Sequence, residues 1–166
     1  MEIASTESFL AYWSKIQART RRVVDQIPPD KIEWSYAAGR WTLGDLVRHL
    51  AALERWMFVE NVHGRPSLYR GCGPELAEGY QEVSAFFDRL GAETVDHLSR
   101  LPDSRLLERC ETPGGAALPV WKWLRAMVEH HCHHRGQIYL YLAQLGVATP
   151  PLYGLTAEEV EARGRR

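Results

Sequence analysis

Between Val120 and Leu145 the residues Val120, Leu124, Met127, His131, His134, Ile138, Tyr141 and Leu145 follow one another at alternating steps of four and three. That spacing lines one face of an α-helix and does not suit a strand, whose side chains alternate every second residue. Pro119 suits the first turn of such a helix, Gly146 is placed to end it, and Pro150-Pro151 prevents its resumption, so the spacing predicts a helix over about 119–145. Two positions of this core stripe are histidine. They belong to the run Glu129-His130-His131-Cys132-His133-His134-Arg135-Gly136-Gln137, which holds four of the seven histidines of the chain.

Three further stretches can pack against that helix. Ser5 or Thr6 can cap a helix over about 6–27, whose apolar positions Phe9, Trp13, Ile16, Val23, Val24 and Ile27 share one face before Pro28-Pro29 stops it. Residues 28–41, with Trp34 and Tyr36, have no sustained period and read as a packed connection. Thr42 and Asp45 form a capping-box pattern, with Trp41 and Leu46 at the two positions of a hydrophobic staple. The helix they start is predicted over about 42–62, on a narrow stripe of Leu43, Leu46, Leu50, Leu53 and Met57, and His49 lies beside that stripe. Residues 63–78 are rich in glycine and proline and read as a long loop. A third helix over about 79–101 carries Tyr80, Val83, Phe86, Phe87, Leu90, Leu98 and Leu101, and Pro102 ends it. Residues 103–118 contain the turn signal Thr112-Pro-Gly-Gly and form either a loop or a small hairpin. A short helix after Thr156 is marked by a second capping box, with Glu159.

Four helices of about 20 residues without convincing strands imply an all-α four-helix bundle with long inter-helix connections, most simply a single domain over 1–166. The order of the helices in space stays open. The connections at 63–78 and 102–118 are both long enough to cross the end of a bundle.

Composition removes several function classes. The chain has 45% hydrophobic and 25% charged residues and a net charge of −1, with no extended basic run, so it lacks the electrostatic footprint of a nucleic-acid binder. The opening Met1-Glu-Ile-Ala-Ser-Thr-Glu shows no basic region followed by an apolar run, and nowhere do 18 apolar residues stand together. The expectation is a cytoplasmic protein with no membrane partner. Cys72, Cys110 and Cys132 are an odd set without Cys-x-x-Cys spacing, which points to reduced, packed thiols rather than a disulfide framework.

The chemistry lies in the histidines. On an ideal helix His130 and His134 project about 40° apart and one turn from each other, so both rings can reach one ion. His131 lies about 60° to one side of His134, and Cys132 points roughly the opposite way. Two histidines hold a metal weakly, and His49, on the core edge of its helix, is the best third donor. His63 is placed in a loop, and His97 has no ligand-type neighbour in sequence. Three histidine ligands leave a coordination position open, the pattern of catalytic rather than structural zinc. A core histidine satisfied by one hydrogen bond is the plain alternative for each, but several imidazoles buried together cost desolvation that a shared cation offsets. The helical zinc-peptidase motif His-Glu-x-x-His would need glutamate at position 131, so the peptidase reading lacks its base. Asp45 has two readings, as an acceptor that orients the His49 ring or as a helix cap. Neither Asp45 nor Glu54 can be assigned as a base from the sequence.

At these residues the chain resembles the DinB/YfiT-like superfamily of metal-dependent bundle proteins. The resemblance rests on Trp41-Thr-Leu-Gly-Asp-Leu-Val-Arg-His49-Leu-Ala, Pro119-Val-Trp-Lys-Trp-Leu, His130-x-x-x-His134-Arg-Gly-Gln137-Ile and Pro151-Leu-Tyr-Gly-Leu-Thr, in the right order over most of the chain. It implies a four-helix bundle, often a homodimer, with a divalent ion on His49, His130 and His134, zinc before nickel. Members include thiol-dependent transferases and isomerases that use bacillithiol, mycothiol or glutathione, so a low-molecular-weight thiol is an implied cofactor. In that pattern an acidic residue often follows the first histidine of the second motif, where this chain has His131. His131 is then an alternative ligand, a group behind the ligands, or a core residue with one hydrogen bond, the last being the reading preferred. His133 is expected at a neighbouring helix or dimer surface, and Gln137 as a hydrogen-bonding residue between helices.

The function expected is a metal-dependent enzyme of the thiol S-transferase or hydrolase type acting on a small molecule. The rival is a non-catalytic metal-binding or stress-response interaction protein.

Overall fold

In a computed structural model of the chain, which describes residues 3–165, the protein is mostly helical. Helix α1 spans Thr6–Val24, with the Ser5 side chain accepting from the Ser8 amide. It ends a turn short of the expected residue 27. Gln26 and Ile27 donate to Val23 and Val24 in a tighter turn, because the prolines that follow push the chain out of helical geometry. Helix α2 (Leu43–Leu53) starts at the expected capping box: Asp45 N–H donates to Thr42 Oγ1, and Thr42 N–H to Asp45 Oδ2.

Two expectations for this second helix are corrected. It is not an unbroken α-helix over 42–62, since a π-helical turn at Glu54–Phe58 separates α2 from α3 (Val59–Val62). The wider turn inserts one residue, so burial continues at Phe58, Val59 and Val62 while Met57 is only partly covered. Nor is the buried face narrow, because every residue of α2 except Asp45 is buried. Arg48, 0% exposed, explains part of this cover. It donates to Glu33 in the 28–41 connection, to Asp45, and to the carbonyls of Cys72 and Ala77, pulling two connections over the helix. Gly44 permits the closest approach, since a Cβ there would stand 2.9 Å from Glu33 Oε1 and 3.0 Å from the Ile32 carbonyl oxygen.

Helix α4 (Gly79–Ser99) matches the predicted third helix, and Leu101 is buried just beyond its end. The 103–118 segment takes the hairpin alternative: Arg109–Glu111 (β1) pairs antiparallel with Ala117–Pro119 (β2), with Cys110 opposite Leu118. Pro119 therefore closes a strand and caps the next helix rather than sitting inside its first turn. That helix, α5 (Val120–Gln144), ends as expected at Gly146, whose φ of 70° lets Gly146 and Val147 donate back to Ala143 and Leu142. Helix α6 (Ala157–Gly164) has its capping box and buries no residue.

Helix α1 packs against α4 and α5, and α2 packs against the same two. The connections that cross the bundle are therefore those at 25–42 and 100–119, while the long loop at 63–78 joins neighbours. None of the described helices is both long and apolar enough to cross a membrane.

The core consists of two apolar clusters that meet at a polar layer. On α5 the lower cluster takes Val120, Leu124 and Met127 and the upper takes Ile138, Tyr141 and Leu142, with the histidines between. On α1, Thr20 separates Ile16 from Val23, and Glu54 follows Leu53 at the same seam. Thr20, Glu54 and His131 are all buried there.

Candidate metal centre

Helix α5 brings His130 and His134 to one face a turn apart, and α2 presents His49 opposite them. The ring centroids lie 5.0 Å apart for His49 and His130, 4.6 Å for His49 and His134, and 4.4 Å for His130 and His134. One nitrogen from each ring falls within 4.8 Å of the others, and His49 Nε2 stands 3.0 Å from His130 Nε2. The three residues singled out in the sequence are thus brought together, and no other histidine joins them.

Hydrogen bonds at the far side of two rings orient them. His49 Nδ1 meets Tyr69 Oη at 2.7 Å, and His134 Nδ1 meets Gln137 Oε1 at 2.7 Å. With Nδ1–H donating outward to these oxygens, the Nε2 lone pair of each ring faces the shared space. His130 Nδ1 is buried without a protein partner. Burial, and then the charge of His134, pushes His49 down to about 4, and burial with the neighbouring imidazoles takes His130 to about 3. His134 is also lowered, chiefly by burial. The rings are therefore neutral at pH 7, the form that donates to a metal.

Aromatic side chains close the centre. Trp41 lays its ring 4.6 Å from that of His49 and 5.9 Å from that of His134, so it covers the histidines and, at 42% exposed, is no buried staple. Phe58 stands 5.8 Å from His130 and is backed by Trp123.

The remaining expectations sort differently. His131 does not face the trio. It is fully buried, with Glu54 at Nδ1 and Thr20 Oγ1 at 2.6 Å from Nε2, so it holds two hydrogen bonds rather than the one expected. Asp45 is the cap and an Arg48 partner, and Tyr69 takes the His49-orienting role considered for it. Gln137 bonds within its own helix, to His134 and His133, instead of bridging helices. His133 is exposed, and Cys132 points elsewhere, toward Arg135. His97 does have a histidine neighbour: His63 Nε2–H donates to its carbonyl, and Arg55 donates to its ring. The three cysteines are free thiols.

Sequence reasoning missed Tyr69 and Glu54. Tyr69 sits in a loop without periodicity, where nothing marks one tyrosine as a ligand's partner. Glu54 lies four residues after Leu50 on the buried face of its helix, but nothing in the sequence names His131 as its partner.

The DinB family profile matches residues 3–165. The chain belongs to the DinB family. Among relatives of this DinB-family protein, an uncharacterised protein of Bacillus subtilis (strain 168), YrdA, is 24% identical over 164 residues, covering 92% of this chain and 90% of that protein. A DinB-like protein from Bacillus cereus ATCC 10987 superposes with a TM-score of 0.76 at 21% identity, over 90% of this chain and 99% of its own. A mycothiol-dependent maleylpyruvate isomerase superposes with a TM-score of 0.63 at 16% identity, over 80% of this chain and 60% of that one. These likenesses establish the DinB-like fold.

The donor set fits a divalent ion: three neutral imidazoles, each with a nitrogen within 4.8 Å of the others, are the ligand type that first-row divalent metals take.

Proposed function

We propose that this DinB-family protein is a metal-dependent enzyme of the thiol S-transferase or hydrolase type, with zinc, or else nickel, held by His49, His130 and His134. The observation that carries this reading is the convergence of three neutral imidazoles, two of them oriented from behind, between the two apolar clusters. A divalent ion held by these three histidines would supply Lewis-acid stabilisation of an anionic nucleophile, derived from water or from a thiol. Support for the thiol branch comes from the structural likeness to a mycothiol-dependent isomerase.

The residues of the chain divide the work. The three histidines hold the ion and move no proton. Tyr69 and Gln137 fix which ring nitrogen is free, and Trp41 and Phe58 limit water. Glu54 is committed to His131 and Asp45 to Arg48 and the Thr42 amide, so neither carboxylate is free to act as a base.

Screening metal-loaded and metal-stripped protein with bacillithiol, mycothiol or glutathione and a panel of electrophiles, and separately with esters and amides, tests this reading. Turnover that requires the metal supports it, and dependence on a thiol selects the transferase branch. No rate above the stripped protein in either assay contradicts it.

A further inference from the structure

Next to the metal centre lies a cleft of about 580 Å³, walled by Tyr36, Arg40, Trp41, Leu46, Gln137 and Tyr141. That volume suits a small organic molecule. Trp41 and Gln137 belong to both places: Trp41 covers His49 and His134, and Gln137 holds His134. A molecule in the cleft therefore lies against the residues that border the ion site.

Three of its lining side chains, Tyr36, Trp41 and Tyr141, are aromatic, and Tyr141 is held in place. Tyr141 meets Tyr36 edge-on at 5.3 Å and Trp34 at 5.8 Å, and its hydroxyl donates to the Trp41 carbonyl at 3.1 Å. Arg40 is the cation on this wall. Among the described residues no carboxylate lies within ion-pair distance of its guanidinium, and no hydrogen bond engages that side chain. The acidic residues of the adjoining segment, Glu33 and Asp45, are already bound to Arg48. Burying a planar body between aromatic rings while leaving an uncompensated guanidinium at the rim matches one class of ligand. A guanidinium offers two parallel N–H donors to a carboxylate, and aromatic faces stack on a flat apolar body.

We propose that this cleft binds the substrate of the metal centre, and that the substrate is a small organic anion with a carboxylate on a flat, apolar or unsaturated body. Arg40 takes the carboxylate, and Trp41 and Tyr141 take the body. The assignment of the bound molecule as substrate rests on the metal-enzyme reading above, whereas its recognition by Arg40 does not.

The full-length protein, metal-free and zinc-loaded, is titrated with phenylacetate and with the neutral phenylacetamide, following tryptophan fluorescence and NMR shifts. The metal-free arm removes direct binding of the carboxylate to the ion. The expected result is a preference for the acid of about tenfold or more in both forms. That preference disappears in Arg40→Gln, is largely kept in Arg40→Lys, and leaves zinc content unchanged. Equal binding of acid and amide, survival of the preference in Arg40→Gln, or no saturable binding of either probe up to about 10 mM overturns the proposal. Zinc content is read separately: loss of the metal reading would leave the acid preference in metal-free protein, and loss of the cleft reading would leave zinc binding intact.

Discussion

His49 Nε2 and His130 Nε2 stand 3.0 Å apart across 81 residues of sequence, with the charge of each disfavoured by burial and by the other imidazoles. This contact has a pH signature. In the unfolded chain a histidine titrates near about 6.5. In the folded, metal-free protein His49 titrates at about 4. Between those values the unfolded chain binds protons that the folded one refuses, so stability is lost as pH falls below about 6.5. His49 alone contributes a loss on the order of 2 kcal/mol by about pH 5. Urea unfolding of metal-free protein at about pH 7.5 and about pH 5 checks it. Equal stability at the two would mean that these rings are not held neutral.

Tyr69 reaches His49 from a loop, and its hydroxyl is the partner of Nδ1. Tyr69→Phe removes that acceptor and frees the ring to turn or to change tautomer. The expected outcome is a fall in zinc affinity of about 10-fold to 100-fold, with the fold retained. Competition with a chromophoric chelator measures the affinity, and circular dichroism reports the fold. An unchanged affinity would show that packing by Trp41 alone orients His49.

Glu54 and His131 form a fully buried pair joining the π-helical turn to α5, with Thr20 of α1 as third member. Glu54→Ala leaves the imidazole without its carboxylate and is expected to cost about 3 kcal/mol. Glu54→Gln keeps an acceptor and costs roughly 1 kcal/mol. Equilibrium denaturation of both variants tests the ranking, which fails if Glu54→Ala is as stable as the parent.

What was legible in the sequence, and what was not, follows from how far each signal reaches along the chain. The stripe of α5, the Thr42 cap and the Gly146 stop are local patterns, and each appears where the residues placed it. The pairing of His49 with His130 and His134 was legible because each lies at a helix position whose facing can be computed. The π turn was not, because no residue type marks it, and the pairing of Glu54 with His131 joins residues 77 apart in sequence. The same holds for Arg48, whose burial depends on Glu33 and the Cys72 and Ala77 carbonyls, which reach it from two distant connections. Tertiary contacts of this kind override what helix periodicity says about a face.

The central claim is that His49, His130 and His134 hold one ion together. Its most direct measurement is elemental analysis of untagged protein after exhaustive dialysis, beside the single alanine variants at these three positions. One divalent ion per chain in the parent, and its loss in His49→Ala as well as in His130→Ala and His134→Ala, is the predicted result. Full metal stoichiometry in a folded His49→Ala protein would contradict it.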